Sequence, residues 1–115
     1  MGTILIVEDE PFILMDLEYA VEDAGHVSVG ARSLPAALAI IRDRRIDAAI
    51  LDHNLGQMDT CFSIAEQLAA LRIPAIIHTA EASRLGPAIM SLEPTVVSKP
   101  APAGEVVAAL LDRIR

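Results

Sequence analysis

The chain has 115 residues and a formal net charge of −7, because nine lysines and arginines stand against sixteen acidic residues. With 53% hydrophobic and 22% charged residues, it is too apolar for a disordered tail and predicts one globular domain over residues 1–115. The negative charge argues against direct nucleic-acid binding, since phosphate backbones select basic surfaces, and it suits a site for a divalent cation.

Cysteine content and hydropathy bear on where the protein resides. A single cysteine, Cys61, leaves no partner for an internal disulfide, so nothing in the sequence indicates secretion. No apolar run approaches the roughly 18 residues that a membrane-spanning helix needs, and no signal peptide opens the chain. We therefore expect a cytoplasmic protein that does not enter a membrane.

The first third of the chain alternates short apolar runs with segments of helical periodicity. The β-branched run of residues 3–7 predicts a fully buried strand. Pro11, preceded by acidic residues, suits the first turn of a helix, and Gly25 supplies its end. Residues 26–30 predict a second strand near a sheet edge, and Ser33 is the expected N-cap of the next helix.

The middle of the chain continues this alternation. Residues 48–51 form a short apolar run that ends at Asp52, and the segment that follows contains Asn54 and is typical of a loop. After a third helix, residues 73–78 predict a fourth strand, which ends at Thr79. These boundaries predict that the third and fourth strands both end on polar side chains.

The last third of the chain contains the weakest predicted helix. Gly86 and Pro87 interrupt it, so we expect a short or mobile helix there. Residues 95–98 predict a fifth strand, which ends at Lys99. The final helix is predicted from five aliphatic residues at helical spacing: Val106, Val107, Leu110, Leu111 and Ile114.

Strands and helices that alternate five times predict an α/β fold, a five-stranded parallel sheet with helices on both faces. The glycine-rich fingerprint of dinucleotide-binding folds is missing after the first strand, where three acidic residues stand instead. The sequence therefore argues against a Rossmann oxidoreductase.

Reactive polar residues follow four of the five predicted strands. They are Glu8 and Asp9, Asp52, Thr79 and Lys99. Ligands of open parallel α/β sheets bind outside the carboxyl ends of the strands, so we expect these side chains to meet along one edge. Three carboxylates at one edge repel each other unless a hard divalent cation such as Mg²⁺ neutralises them.

One of these carboxylates can also act as a nucleophile. A carboxylate that attacks phosphorus forms an aspartyl phosphate, a known kind of covalent intermediate. The reaction needs a metal to offset phosphoryl charge, a cation on another oxygen and a small hydroxyl for a third. The predicted edge offers Glu8 and Asp9 for the metal, Lys99 as the cation and Thr79 as the hydroxyl.

The chain resembles the receiver domains of bacterial two-component response regulators over nearly its full length. Four motifs carry the resemblance, each at a predicted strand end: Val7-Glu8-Asp9-Glu10, Leu51-Asp52, Thr79-Ala80-Glu81-Ala82 and Ser98-Lys99-Pro100. The resemblance implies a flavodoxin-like sheet with the strand order 2-1-3-4-5.

The resemblance also implies which residues bind the metal and accept the phosphoryl group. Asp52 would be the phosphoacceptor and one of the metal ligands. Mg²⁺, or Mn²⁺ in its place, would bind Asp9 directly and Glu8 directly or through water. The backbone carbonyl of Asn54 would be a further ligand.

Two other residues would stabilise the phosphoryl group. Thr79 would contact a phosphoryl oxygen, and Lys99 would pair with the acceptor carboxylate and then with its phosphate. The family usually has a cis peptide between this lysine and Pro100.

Two positions depart from the family pattern. Val96 stands where the family has Tyr or Phe, so an aromatic rotamer switch cannot operate there, and Ala101 stands where Phe is frequent.

The resemblance implies a regulator rather than an enzyme, with self-dephosphorylation as its only turnover. It would accept the phosphoryl group from a histidine kinase or phosphotransfer protein. It would then bind another protein or serve as an intermediate or sink in a phosphorelay. The output surface would be the segment that begins at Gly86 and ends at Ile114. Because the sequence ends after the fifth helix, we expect a stand-alone receiver, although a receiver cut from a longer hybrid protein stays open.

Other interpretations of the same residues remain. A pseudo-receiver would bind partners without taking phosphate, which the intact set of acids, threonine and lysine disfavours. A phosphatase of the haloacid dehalogenase type needs a second acid two residues after the nucleophile, where this chain has Asn54. The three histidines lack metal-ligand spacing, which argues against a transition-metal site. Cys61 is expected to be a small buried residue rather than a reactive thiol.

Overall fold

The computed structural model describes residues 2–53, 55 and 61–114. Over these residues five strands form one parallel sheet ordered β2-β1-β3-β4-β5 and alternate with five α-helices, and a 3₁₀ turn at Ala82–Arg84 precedes the fourth of these helices. This arrangement confirms the predicted fold and strand order. In chain order the elements are β1 (Thr3–Val7), α1 (Pro11–Asp23), β2 (Val27–Ala31), α2 (Leu34–Asp43), β3 (Ala48–Leu51), α3 (Phe62–Ala70), β4 (Ala75–Thr79), α4 (Pro87–Met90), β5 (Thr95–Ser98) and α5 (Ala103–Ile114).

The sheet has a hydrophobic core on each face. Successive side chains of a strand point to opposite faces, so in β1 the side chains of Leu5 and Val7 enter one core and those of Ile4 and Ile6 enter the other. Helices α2, α3 and α4 cover the first core, and α1 and α5 cover the second. None of the helices in the described ranges is long and apolar enough to cross a membrane.

Local side-chain contacts fix where the helices begin. The Glu10 carboxylate accepts a hydrogen bond from the Ile13 N–H at 2.9 Å and so caps the start of α1. Ser33 caps α2 in the same way, with its hydroxyl oxygen 3.3 Å from the Ala36 nitrogen. The Ser33 contact confirms the N-cap predicted from the sequence, and the Glu10 contact assigns that carboxylate to the start of α1.

Three local predictions differ from the structure. Strand β4 begins at Ala75 rather than at residue 73, since Pro74 has no N–H to donate to a strand ladder. Strand β2 begins at Val27 because the His26 N–H is used in the turn after α1, where it donates to the Val21 carbonyl. The spacing of Ile64, Leu68 and Leu71 predicts a third helix that includes Leu71, but Leu71 follows the end of α3 and is 58% exposed.

The end of α1 depends on a left-handed glycine, and this gives a first prediction. Gly25 has φ of +89°, and we expect Gly25→Ala to lower the free energy of unfolding by about 1 kcal/mol. Gly104→Ala is the matched control, because Gly104 lies in α5 and an added Cβ would enter open space. That control should raise stability by about 0.5 kcal/mol. Urea unfolding of both variants measures the difference, and equal effects would contradict this account of Gly25.

Candidate functional site

The pairing of β1 with β3 brings the first two motifs together. Val7 is in register with Leu51 at the ends of these strands. The next residues on the two strands are Glu8 and Asp52, and the Asp52 N–H donates to the Val7 carbonyl at 2.8 Å. Both acidic side chains are buried. Sheet register therefore places the two carboxylates side by side at the carboxyl edge.

The pairing of β4 with β5 adds the threonine and the lysine at the same edge. Thr79 is in register with Ser98, and the Lys99 N–H donates to the Thr79 carbonyl at 2.8 Å. Thr79 is fully buried, and its hydroxyl oxygen accepts a hydrogen bond from the Glu81 N–H at 3.3 Å. The peptide bond between Lys99 and Pro100 is cis, as the resemblance implied.

Three carboxylates form a cluster that fits a hard cation. Glu8, Asp9 and Asp52 each offer one oxygen, and these atoms all lie within 4.8 Å of one another. Carboxylate oxygens are the ligands that Mg²⁺ and Mn²⁺ prefer, and Mg²⁺ typically takes only a few of them and keeps water at its other positions. The donor set therefore fits the expected metal. Asn54, whose carbonyl the resemblance also implied as a ligand, lies outside the described residues.

Lys99 is the chain's single lysine, and its ammonium binds two of the three acids. The Lys99 Nζ lies 2.7 Å from the Glu8 Oε1 and 3.5 Å from the Asp52 Oδ2. The second Glu8 oxygen accepts a hydrogen bond from the Glu10 N–H at 3.2 Å. One ammonium against three carboxylates leaves an excess of negative charge at the site, which a divalent cation can balance.

The surroundings of Lys99 raise its pKa. Burial alone would lower the pKa of this ammonium, but the hydrogen bond to Glu8 and the charges of Asp52 and Glu8 outweigh burial. A raised pKa means that the ammonium contributes its full stabilisation below the ordinary lysine pKa of about 10.4. That contribution is lost as the pH rises through the folded-state pKa.

We therefore expect the free energy of unfolding to fall with pH in the alkaline range, starting near the ordinary lysine pKa. Urea unfolding across that range, for the wild type and Lys99→Met, should show the decline in the wild type and a weaker one in the variant. Because the chain has one lysine, the NMR signal of ¹³Cε-labelled lysine reports this titration directly. A midpoint below the ordinary lysine pKa would contradict the assignment.

The structure adds two residues that the sequence interpretation did not assign to this region. The Arg32 guanidinium donates from Nη2 to the Asp9 carbonyl oxygen at 3.3 Å. Arg32 directly follows β2, so its position after a strand was a usable signal. His78 precedes Thr79 on β4 and is buried. Because His78 lies within the apolar segment predicted as the fourth strand, the sequence gave no indication that it has a polar role.

Cys61 and His53 pack together beside the acceptor candidate. The Cys61 Sγ lies 3.9 Å from the His53 Nδ1, and both residues are buried. Burial, followed by the negative charge of Asp52, raises the pKa of Cys61 to about 12. The thiol is therefore protonated at neutral pH, and the burial predicted for Cys61 is confirmed.

Comparison with known families gives one match across most of the chain. The family model described as the response regulator receiver domain matches residues 4–111. The matched range includes all the site residues that were predicted from the sequence, from Glu8 to Lys99. Among curated proteins, no match to the sequence was found.

Several solved structures are similar to this one. SdrG from Sphingomonas melonis Fr1 is 37% identical, with a TM-score of 0.81 over 97% of this chain and 94% of that chain. A CheY-like receiver domain protein from Methanospirillum hungatei JF-1 has a TM-score of 0.85 at 19% identity, over 99% and 94% of the two chains. A CheY-like receiver domain from Methylobacillus flagellatus has a TM-score of 0.83 at 23% identity, over 100% and 99%. The last two show the fold alone.

Proposed function

The chain belongs to the response regulator receiver family, and on that premise we propose that Asp52 accepts a phosphoryl group from a phosphohistidine of a kinase or phosphotransfer protein. One observation carries the proposal. The buried Asp52 carboxylate lies at the carboxyl edge of the sheet with two further acids and the ammonium of Lys99. This combination provides a nucleophile, a cation site and a fixed positive charge in one place.

The proposed reaction is a phosphoryl transfer between two proteins. A carboxylate oxygen of Asp52 attacks phosphorus and forms a new P–O bond, and the P–N bond to the donor histidine breaks. The electron pair of that bond stays on the imidazole nitrogen. In the dephosphorylation step, water attacks the phosphorus of the acyl phosphate, and the P–O bond to Asp52 breaks. Inorganic phosphate and the free Asp52 carboxylate are released.

Each remaining residue at the edge has a proposed role. Glu8, Asp9 and Asp52 would hold Mg²⁺ or Mn²⁺, and the metal would offset the negative charge of the phosphoryl oxygens. The Lys99 ammonium, already within 3.5 Å of Asp52, would shift its contact to a phosphoryl oxygen. The Thr79 hydroxyl would donate to another phosphoryl oxygen, which its role as acceptor for the Glu81 N–H does not prevent.

Output through another protein is part of the proposal, with the segment 86–114 as the contact surface. Helix α4 is a single turn, and the side chains of Met90 and Ile114 on this segment are about half exposed. A helix this short has few interactions of its own, so its position can respond to a change at Thr79 at little cost. Val96 replaces the usual aromatic residue, so the movement would involve aliphatic packing.

Intact-mass measurement tests the proposed function. Incubation with a small acyl phosphate donor and Mg²⁺ should add one phosphoryl group to the wild type and none after chelation with EDTA. Asp52→Asn should gain nothing, and Asp16→Asn, which removes an exposed acid from α1, should behave like the wild type. A metal-independent gain, or a gain in Asp52→Asn, would contradict the proposal. Absence of any gain, with a phosphohistidine donor as well, would favour the pseudo-receiver.

A further inference from the structure

Lys99 also lines a cavity whose lining does not include Glu8, Asp9 or Asp52 and to which no role has been assigned above. It has a volume of about 170 Å³ and lies between α1, β4 and the turn that leads into α5. Apolar groups form most of its wall, with Ile13 and Leu17 from α1 and two short side chains, Ala101 and Ala103, from the turn and the start of α5. The two alanines leave space that longer side chains would fill.

His78 is the buried polar residue of this cavity, and two charged residues, Asp16 and Lys99, also line it. The residue is only 4% exposed, and neither of its ring nitrogens has a hydrogen-bond partner in the described part of the chain. Buried polar groups in folded proteins are nearly always hydrogen-bonded, so an imidazole with two unused nitrogens needs a partner from outside. Burial, and then the charge of Lys99, lowers the pKa of His78, so the ring is neutral near pH 7. A neutral ring offers one donor and one acceptor.

We propose that this cavity binds a small aromatic molecule that carries one hydrogen-bonding group, of the size of phenol. A dry apolar cavity of about 150 Å³ is large enough to bind benzene, so the space here suits a single six-membered ring. The hydroxyl of such a ligand would pair with a nitrogen of His78, and its ring would contact Leu17 and the alanines. The two charged lining residues are Lys99, whose ammonium binds Glu8, and Asp16, which is an exposed acid on α1. The lining therefore offers no free cation for an anionic ligand, and an uncharged ligand fits best.

Two NMR signals report binding without any phosphoryl chemistry, so this test is independent of the proposed function. One is the ring of His78, and the other is the ¹³Cε signal of Lys99, which lines the same cavity and is the only lysine. Titration with phenol should shift both signals to saturation. Toluene, which has the same ring but no hydroxyl, should bind about fivefold more weakly, the value of one net hydrogen bond.

Three variants locate the site. Ala101→Leu fills the cavity and should weaken phenol binding about tenfold or more. Ala103→Leu fills it from the first residue of α5 and is used if Ala101→Leu does not give a folded amide spectrum. Ala108→Leu, on an exposed position of α5, is the matched control and should bind phenol like the wild type.

His78→Leu tests the hydrogen bond itself. The variant replaces the imidazole with an apolar side chain of similar size that has no ring nitrogen. Phenol and toluene should therefore bind with equal affinity, as measured through the Lys99 signal. The proposal is overturned if phenol produces no saturable shift in the wild type, which is the result for a cavity that takes only water. Equal phenol affinity in the wild type and in the cavity-filling variant would overturn it as well.

Discussion

Replacing Lys99 by methionine should lower the free energy of unfolding by about 3 kcal/mol at pH 7 in the presence of EDTA. The Lys99 side chain is 17% exposed and binds Glu8 at 2.7 Å, and the Glu8 side chain is only 2% exposed. Methionine keeps an unbranched apolar stem but removes the ammonium. Three clustered carboxylates then remain without their cation, and the loss of one partner from a buried ion pair is costly because the other charge stays buried.

Arg42→Met is the control for this prediction. Arg42 pairs with Asp43 at 3.1 Å, but its side chain is 74% exposed, and exposed pairs contribute little. The control should leave the free energy of unfolding close to that of the wild type. Urea unfolding with EDTA measures both variants. If Lys99→Met proved as stable as the wild type, the ion pair with Glu8 would not hold this edge of the sheet together.

Asp9→Asn should weaken Mg²⁺ binding about tenfold or more. Asp9 contributes one of the three oxygens that lie within 4.8 Å of one another, and it is the most exposed member of the group. An amide oxygen carries no formal charge, so the variant loses much of the attraction for a hard cation while it keeps the size of the side chain. Isothermal titration calorimetry with Mg²⁺ measures the change.

Glu10→Gln makes the same change of charge at the next residue. The Glu10 carboxylate accepts the hydrogen bond of the Ile13 N–H and so belongs to the start of α1 rather than to the cluster. Its loss should reduce Mg²⁺ affinity less than about threefold, through screened charge alone. If both variants lost affinity equally, the site would be a diffuse acidic surface rather than a coordination site with Asp9 as a ligand.

Much of the fold could be predicted because local patterns and topology agree. The continuous apolar run of β1 is explained by its two buried faces, with Leu5 and Val7 in one core and Ile4 and Ile6 in the other. Once the strands are parallel, their carboxyl ends share an edge. The residues that follow β1, β3 and β5 therefore meet without any information on side-chain geometry.

Contacts between distant side chains could not be predicted in the same way. The bond between Lys99 and Glu8 joins residues 91 positions apart, and no local pattern indicates which of the acids the ammonium prefers. Within the described residues the ring nitrogens of His78 have no partner, and the neighbours that leave them so come from three separate parts of the chain. The same limit explains Leu71, whose apolar character matched the helical spacing although α3 ends one residue earlier.

Chemical trapping of the modified residue tests the central claim, that Asp52 is the phosphoacceptor, most directly. Borohydride reduces an acyl phosphate to an alcohol and therefore converts a phosphorylated aspartate to homoserine. After incubation with an acyl phosphate donor and Mg²⁺, reduction and peptide mass mapping should place homoserine at position 52 and at no other position. Homoserine at another aspartate such as Asp9, or a phosphoryl group that survives reduction, would contradict the account.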